Sequence, residues 1–208
     1  MTIDTRITVA IPSAGRVSTN FMYSMISLMS YLQANGVPGF NIDVKLDIVQ
    51  SSVIYGNRQK LVSRAIDSGQ THIMFIDDDM IFQPQVFGML LQRQLPVVVT
   101  NYLIKVDEPK FVAISLDGNR VPTTVESTGC ENVMFSGFGV SLFQTDVFKA
   151  IPKPWFMPLY NEEEDHFTPE DEPLFEKIRA AGYDVWLDHD ASKLVAHEGI
   201  KMWRWDQV

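Results

Sequence analysis

YGNRQKLVSRAIDSGQTHIMFIDDDMIF, residues 55–82, sets the fold. It reads as a helix from about Asn57 to Asp67, halted at Ser68-Gly69, and then a strand from His72 to Ile76. That strand runs into Asp77-Asp78-Asp79. Working back, Val44 to Val49 is a second strand. A helix capped by Ser18 or Thr19 precedes it and ends at Asn35-Gly36. Its apolar face is expected to use Met22, Met25, Ile26, Leu28, Met29 and Leu32 as core filling. Arg6 to Pro12 is the first strand, rich in β-branched residues and closed by Pro-Ser-Ala-Gly.

Strand and helix alternating in this way predict a mostly parallel sheet covered on both faces. Right-handed crossovers then bring 11–16, 50–58 and 77–79 together at the ligand-binding edge. Three adjacent carboxylates at that edge repel one another, and desolvation worsens the conflict. A divalent cation, Mg²⁺ or Mn²⁺, relieves it, held by carboxylate oxygens and substrate phosphates. Taken alone, the triplet also reads as a solvated acidic turn; its place in the fold favours function. Arg58 and Asn57 open a helix beside it, a setting that suits a phosphate or nucleotide.

Downstream, Pro84 to Gln94 is a helix and Val97 to Leu103 a strand. Phe111 to Leu116 and Val121 to Glu126 read as a hairpin around Asp117-Gly118-Asn119. Val133 to Phe143 is strand-like but broken at Ser136-Gly137-Phe138-Gly139. Pro173 to Ala181 is helical, and Tyr183 to Leu187 is a strand. Thr168-Pro169-Glu170-Asp171-Glu172 reads equally as ordinary helix capping and as a site for Asp171 to act as a general base. His197 precedes a glycine after Leu194 to Ala196, and its imidazole could join carboxylates around Mn²⁺. His189 could orient a neighbour, whereas His72 and His166 carry no assigned chemistry.

The 208 residues suit one compact domain. Seventeen basic residues against 26 acidic ones give −9, which argues against a long nucleic-acid footprint. Cys130, the single cysteine, cannot form an internal disulfide or a multi-cysteine zinc site. No stretch reaches the ~18 apolar residues of a membrane span, and the N-terminus lacks a signal-peptide pattern. A cytoplasmic protein is expected, in host cytoplasm if the source is viral. There is no Walker phosphate loop, and no Gly-x-Gly-x-x-Gly follows the first strand, which disfavours a P-loop NTPase and a dinucleotide dehydrogenase.

Together these segments resemble the GT-A glycosyltransferases, above all the family-2-like enzymes and small viral or phage relatives. VAIPSAGR is similar to the first strand and nucleotide loop, and the stretch at 55–82 to the Arg/Asn-bearing helix and DxD motif. FSGFGVSLFQTDVFKAIPKPWF is similar to the glycine-rich strand and helix beside the acceptor. PEDEPLFEKIRAAGYDVWLDHD resembles the Glu-Asp motif with its helix and next strand, and LVAHEG the terminal His-x-Gly segment. The resemblance implies one GT-A domain over 1–208, with a nucleotide-sugar-binding half at 1–104 and an acceptor and metal-completing half at 105–208. It implies sugar transfer from a UDP- or GDP-sugar to an acceptor hydroxyl, with Mn²⁺ or Mg²⁺ as cofactor. Pro12, Ser13, Arg16, Asn57, Arg58, Asp77 and Asp78 would contact the donor. Asp79, His197 and Asp77 would hold the metal, and Asp171 with Glu170 would serve catalysis, most simply with inversion. Gly137, Phe138, Gly139 and Trp155 would border the acceptor.

The acceptor is open: a glycan, a lipid-linked sugar, a protein or a modified nucleobase. A sugar nucleotidyltransferase is the competing enzyme, although Ser13-Ala14-Gly15-Arg16 poorly matches the basic glycine-rich loop it needs. A carbohydrate-binding module could use Trp155, Trp203 and Trp205, which read equally as core or acceptor-wall residues, but it would not need the aspartates, the Glu-Asp pair and the histidine together.

Overall fold

The computed structural model describes residues 2–106, 108–163, 165–199 and 202–204. The chain runs β1 (Ile3–Ser13), α1 (Thr19–Asn35), β2 (Phe40–Gln50), α2 (Ile54–Asp67), β3 (His72–Ile76) and β4 (Met80–Phe82). It continues through α3 (Gln85–Gln92), β5 (Val97–Val99), β6 (Leu103–Ile104), β7 (Lys110–Phe111) and β8 (Ile114–Ser115). Next come β9 (Cys130–Phe135), β10 (Val140–Gln144), α4 (Thr145–Ala150), β11 (Tyr160–Asn161) and β12 (His166–Phe167). The last elements are α5 (Asp171–Ala180), β13 (Val185–Asp188), α6 (His189–Ser192), β14 (Val195–Glu198) and β15 (Met202–Arg204).

The main sheet has eight strands in the order β2-β1-β3-β10-β5-β13-β9-β8. The expected parallel run holds for β2-β1-β3 and for β5-β13. Between them β10 enters antiparallel to both β3 and β5, so the sheet is mixed. Because β10 opposes both neighbours, β1, β3, β5 and β13 point the same way. Their carboxyl ends share one edge. Above it lies a small sheet, β15-β14-β4, in which His197 stands opposite Met80.

Side chains alternate across a strand, and the core follows that period. Ile73 and Phe75 enter one apolar layer with α2, α4 and α5; Met74 and Ile76 enter the other with α1 and α3. Ser18 caps α1, its hydroxyl accepting from the Phe21 amide at 3.0 Å. Only one stripe of α1 is buried: Phe21, Ser24, Met25, Leu28 and Leu32. Met22, Ile26 and Met29 stay exposed, correcting the broad core face expected of them. A helix lying on one sheet face needs no wider stripe.

The expected strand from Val97 to Leu103 splits into β5 and β6. The Thr100 amide still donates to Val140 at 3.1 Å, but at Asn101 the chain leaves the ladder and the side chain turns to the Val121 carbonyl at 2.7 Å. The Asp117-Gly118 turn forms, with the Ser115 amide donating to Asn119 at 2.8 Å. Its return leg is only a bridge from Ile114 to Arg120, because β8 pairs with β9 instead.

Candidate active site

The first three loops meet at the edge, as expected. Asn57, fully buried, donates to the Ser13 and Ser51 carbonyls, each at 3.1 Å, and accepts from the Ser51 hydroxyl at 2.6 Å. Its amide therefore stitches loops together, and donor contact by this side chain is corrected to a positioning role. The Ser13 hydroxyl donates to Asp78 Oδ2 at 2.6 Å and accepts from the Gly15 amide. Pro12 is buried beneath this loop, while Arg16 is exposed upon it.

Arg58 is buried between two carboxylates. It donates to Asp77 Oδ1 at 2.7 Å and to Glu170 Oε1, and its guanidinium lies 4.8 Å over the Phe138 ring. Arg58 thus joins the aspartate turn to the loop that opens α5. Burial pushes Asp77 up, against the pull of the Arg58 charge. Asp171, beside Glu170, is pushed up to about 6 by burial and by the Glu170 charge. Its Oδ1 accepts from the Glu172 amide at 3.0 Å.

Asp79 lies at the far side of the turn. Burial raises its pKa, but bonds from His197 and Lys105, reinforced by their charge, outweigh that and hold it at about 2. Lys105 Nζ pairs with Asp79 Oδ2, and His197 Nε2 stands 3.2 Å from the same oxygen. β14 delivers His197 by pairing with β4, and the Glu198 amide donates to the Asp79 carbonyl at 2.8 Å. Glu198 itself accepts from Asn20 at 2.7 Å and from Ser18, tying β14 to the start of α1.

The tautomer of His197 follows from its other nitrogen. Nδ1 is 3.0 Å from the Leu103 carbonyl, which can only accept, so Nδ1 carries a hydrogen. With a hydrogen of its own Nε2 donates to Asp79 Oδ2; without one it turns a lone pair towards that oxygen. Two acceptors at that distance need a proton or a metal ion between them. One imidazole nitrogen and one carboxylate oxygen suit Mn²⁺ or Mg²⁺ completed by phosphate oxygens. Among the described residues, no three His, Cys, Asp or Glu side chains gather as a metal centre. Asp77, expected as a third ligand, is instead engaged by Arg58.

The glycine-rich segment packs around Tyr102. A Cβ on Gly137 would sit 2.1 Å from Tyr102 Oη, and one on Gly139 would sit 2.5 Å from the ring and 2.9 Å from Met80 Sδ. The Gly139 amide donates to Tyr102 Oη at 3.1 Å, and the Tyr102 ring meets His197 edge-on at 5.1 Å. Phe138 packs in the core among Phe75, Phe143, Phe156 and Phe175. Trp155 is buried too, its indole donating to the Phe148 carbonyl at 2.9 Å. The wall expected of Phe138 and Trp155 is thus corrected to support from behind. Trp205 lies outside the described residues. His189 is buried, with Nδ1 3.0 Å from the Thr123 hydroxyl and Nε2 3.1 Å from Glu131.

No protein-family model matches the chain, and no curated protein matches it by sequence. Solved structures do share its fold. A197 from STIV matches with a TM-score of 0.62 over 93% of this chain and 86% of that one, at 16% identity. The catalytic domain of Drosophila β1,4-galactosyltransferase 7, in complex with xylobiose, matches with a TM-score of 0.53. That match covers 94% of this chain and 71% of the other, again at 16% identity.

The fold is GT-A. The loops around Asp77–Asp79 therefore sit at the sheet edge where open α/β folds take ligands. Sequence reasoning missed two residues of this GT-A edge, Lys105 and Tyr102. Neither stands in a motif; each is brought in by the chain leaving β5. No helix among the described residues is long and apolar enough to cross a membrane.

Proposed function

We propose that the chain transfers a sugar from a nucleoside-diphosphate sugar, UDP- or GDP-linked, to an acceptor hydroxyl. The observation that carries this is the meeting of His197 Nε2 and Asp79 Oδ2 at 3.2 Å, in a turn that Arg58 ties to Glu170 next to Asp171. The GT-A fold shared with a galactosyltransferase catalytic domain supports the same reading.

Asp79 and His197 would hold Mn²⁺ or Mg²⁺, which when bound supplies Lewis acidity to the departing diphosphate. Ser13, Arg16 and Asp78 line the donor side, with Asn57 fixing their loops. Asp171 takes the proton from the acceptor hydroxyl as that oxygen attacks the anomeric carbon. The bond from that carbon to the diphosphate breaks on the opposite face, so configuration inverts. Arg58 holds Glu170, and through it the base, in register with the aspartate turn. A saccharide acceptor is favoured, because the galactosyltransferase neighbour was crystallised with xylobiose.

The test is a panel of sugar nucleotides incubated with the protein and Mn²⁺. Release of nucleoside diphosphate, abolished by EDTA, supports the reading. Pyrophosphate release from a nucleoside triphosphate and a sugar phosphate would instead identify a nucleotidyltransferase. Sugar binding without any turnover would identify a binding module.

A further inference from the structure

The strand β2 lies at one end of the main sheet, and no described strand pairs with its outer side. It is eleven residues long, unusually long for an edge. Phe40, Ile42 and Val44 face the apolar layer that contains α1. By alternation Leu46 and Ile48 share that face, yet they are 44% and 53% exposed. The other face reads Asn41, Asp43, Lys45, Asp47. Charges on an edge ordinarily discourage pairing. Here their order permits one particular pairing.

We propose that β2 pairs antiparallel with β2 of a second copy of this chain, about a two-fold axis through Val44, so that the two main sheets become one. Such an axis keeps each side chain opposite one on the same sheet face only when it passes through a residue. On Asp43 or Asp47 it sets that carboxylate against itself. On Lys45 it sets lysine against lysine and Asp43 against Asp47. On Leu46 it leaves Asp43 opposite Val49, and it relies on Asp47, which Arg64 already holds at 3.1 Å. On Val44 it pairs Asp43 with Lys45 twice, Ile42 with Leu46 twice and Phe40 with Ile48 twice. No like charges meet, and the two exposed apolar side chains gain apolar partners.

The helix beside the edge fits this partner. Ser24, on one flank of α1, accepts from the Phe82 amide of β4 at 3.1 Å. By helical spacing Met22, Ile26 and Met29 fall on the other flank of α1, at 50%, 58% and 38% exposure. α1 and the apolar residues Phe40, Ile42 and Val44 of β2 belong to one layer, so these exposed side chains add apolar surface on the sheet face where the second copy would arrive.

The test is the mass of the full chain in solution, by sedimentation and light scattering across a concentration series. Twice 23.6 kDa is expected. Asp43→Lys and Lys45→Asp each place like charges across the axis and should weaken association by at least about tenfold. The double reversal, Asp43→Lys with Lys45→Asp, should restore the dimer. Both positions are exposed, and circular dichroism checks that each variant folds. Hydrogen exchange should show β2 amides protected in the dimer and released by either single reversal. A chain that stays monomeric overturns the proposal. So does a dimer indifferent to the reversals, or one broken by Lys45→Asp but not by Asp43→Lys, or a double variant that stays monomeric.

Discussion

Arg58 holds Asp77 at 2.7 Å with one guanidinium nitrogen and grips Glu170 with the other. The turn assigned to the donor and the loop that carries the proposed base are therefore fastened to one buried cation. Removing it would strand two partly buried carboxylates.

Arg58→Met should accordingly lower unfolding free energy by about 3–5 kcal/mol, the usual cost of breaking a buried ion pair from one side. Urea unfolding followed by tryptophan fluorescence measures it. Arg58→Lys keeps the charge but loses the two-armed geometry, and should fall between that variant and the wild type. A loss below about 1 kcal/mol in Arg58→Met would show that the two carboxylates are not dependent on it.

Asp171→Asn should lower kcat by about 10² or more while leaving donor affinity nearly unchanged, because a general base acts in the transition state. Single-turnover rates and calorimetry with a nucleoside diphosphate separate the two effects. Asp79→Asn should damage both. Equal loss of donor binding in the two variants would remove Asp171 from the acceptor side.

The raised pKa of Asp171, about 6, also predicts a pH signature. Between the unfolded value near 3.8 and the folded value near 6, the folded chain holds a proton that the unfolded chain has released. Stability from this group therefore falls as pH rises through that window. Asp171→Asn should be the more stable protein above pH 6, by on the order of 1–2 kcal/mol after solvent screening. Below about pH 4 the advantage should vanish. Melting temperatures of the two proteins at pH 4 and pH 7.5 supply the comparison, and parallel curves would contradict the assignment. Turnover should rise with pH through about 6 as the base becomes available.

His197→Ala should weaken Mn²⁺-dependent binding of UDP or GDP by at least about tenfold, in line with loss of one ligand. Lys105→Ala should act in the opposite sense on Mn²⁺ itself, because the ammonium shares Asp79 Oδ2 with the proposed ion. Calorimetric titration of Mn²⁺ into each variant reads both effects. Unchanged Mn²⁺ affinity in both would take the metal away from this carboxylate.

Gly137→Ala should destabilise by about 1–3 kcal/mol, since the new methyl meets Tyr102 Oη at 2.1 Å. Tyr102→Phe alone should cost about 1 kcal/mol through the lost bond from the Gly139 amide. Combined, the two should cost less than their sum, because the clashing oxygen is gone. Thermal unfolding of the four proteins gives the coupling, and strict additivity would mean the contact is relieved some other way.

The alternation of strand and helix up to Asp79 was legible because each element carries its own period and its own stop. His72–Ile76 appears with its predicted bounds, and Ser18 caps α1 as expected. Past Val99 the signals weaken. Asn101 leaves the ladder for a distant carbonyl, and β8 takes β9 as its partner rather than the residues after the turn. Those outcomes depend on tertiary partners, which local composition does not encode. In the site, the charged residues stood out by type, but their engagements did not. That Asn57 would stitch loops, or that Asp77 would belong to Arg58, depends on which groups lie within 3 Å after folding. Phe138 reads as an acceptor-side aromatic, and Trp155 stays open between wall and core, because burial is invisible in a linear chain.

His197 and Asp79 are 118 positions apart, and β14 must lie along β4 before they meet. During synthesis, β1, β2 and β3 can assemble long before residue 197 emerges. Loop closure over such a span is entropically slow to reward, so this contact belongs among the last to form. A nascent chain would thus form the β2-β1-β3 part of its sheet early, complete the sheet only with β13, and bring His197 to Asp79 last. Ribosome-bound intermediates lacking residues 195–198 should be compact yet bind the divalent ion proposed at Asp79 more weakly than the released chain.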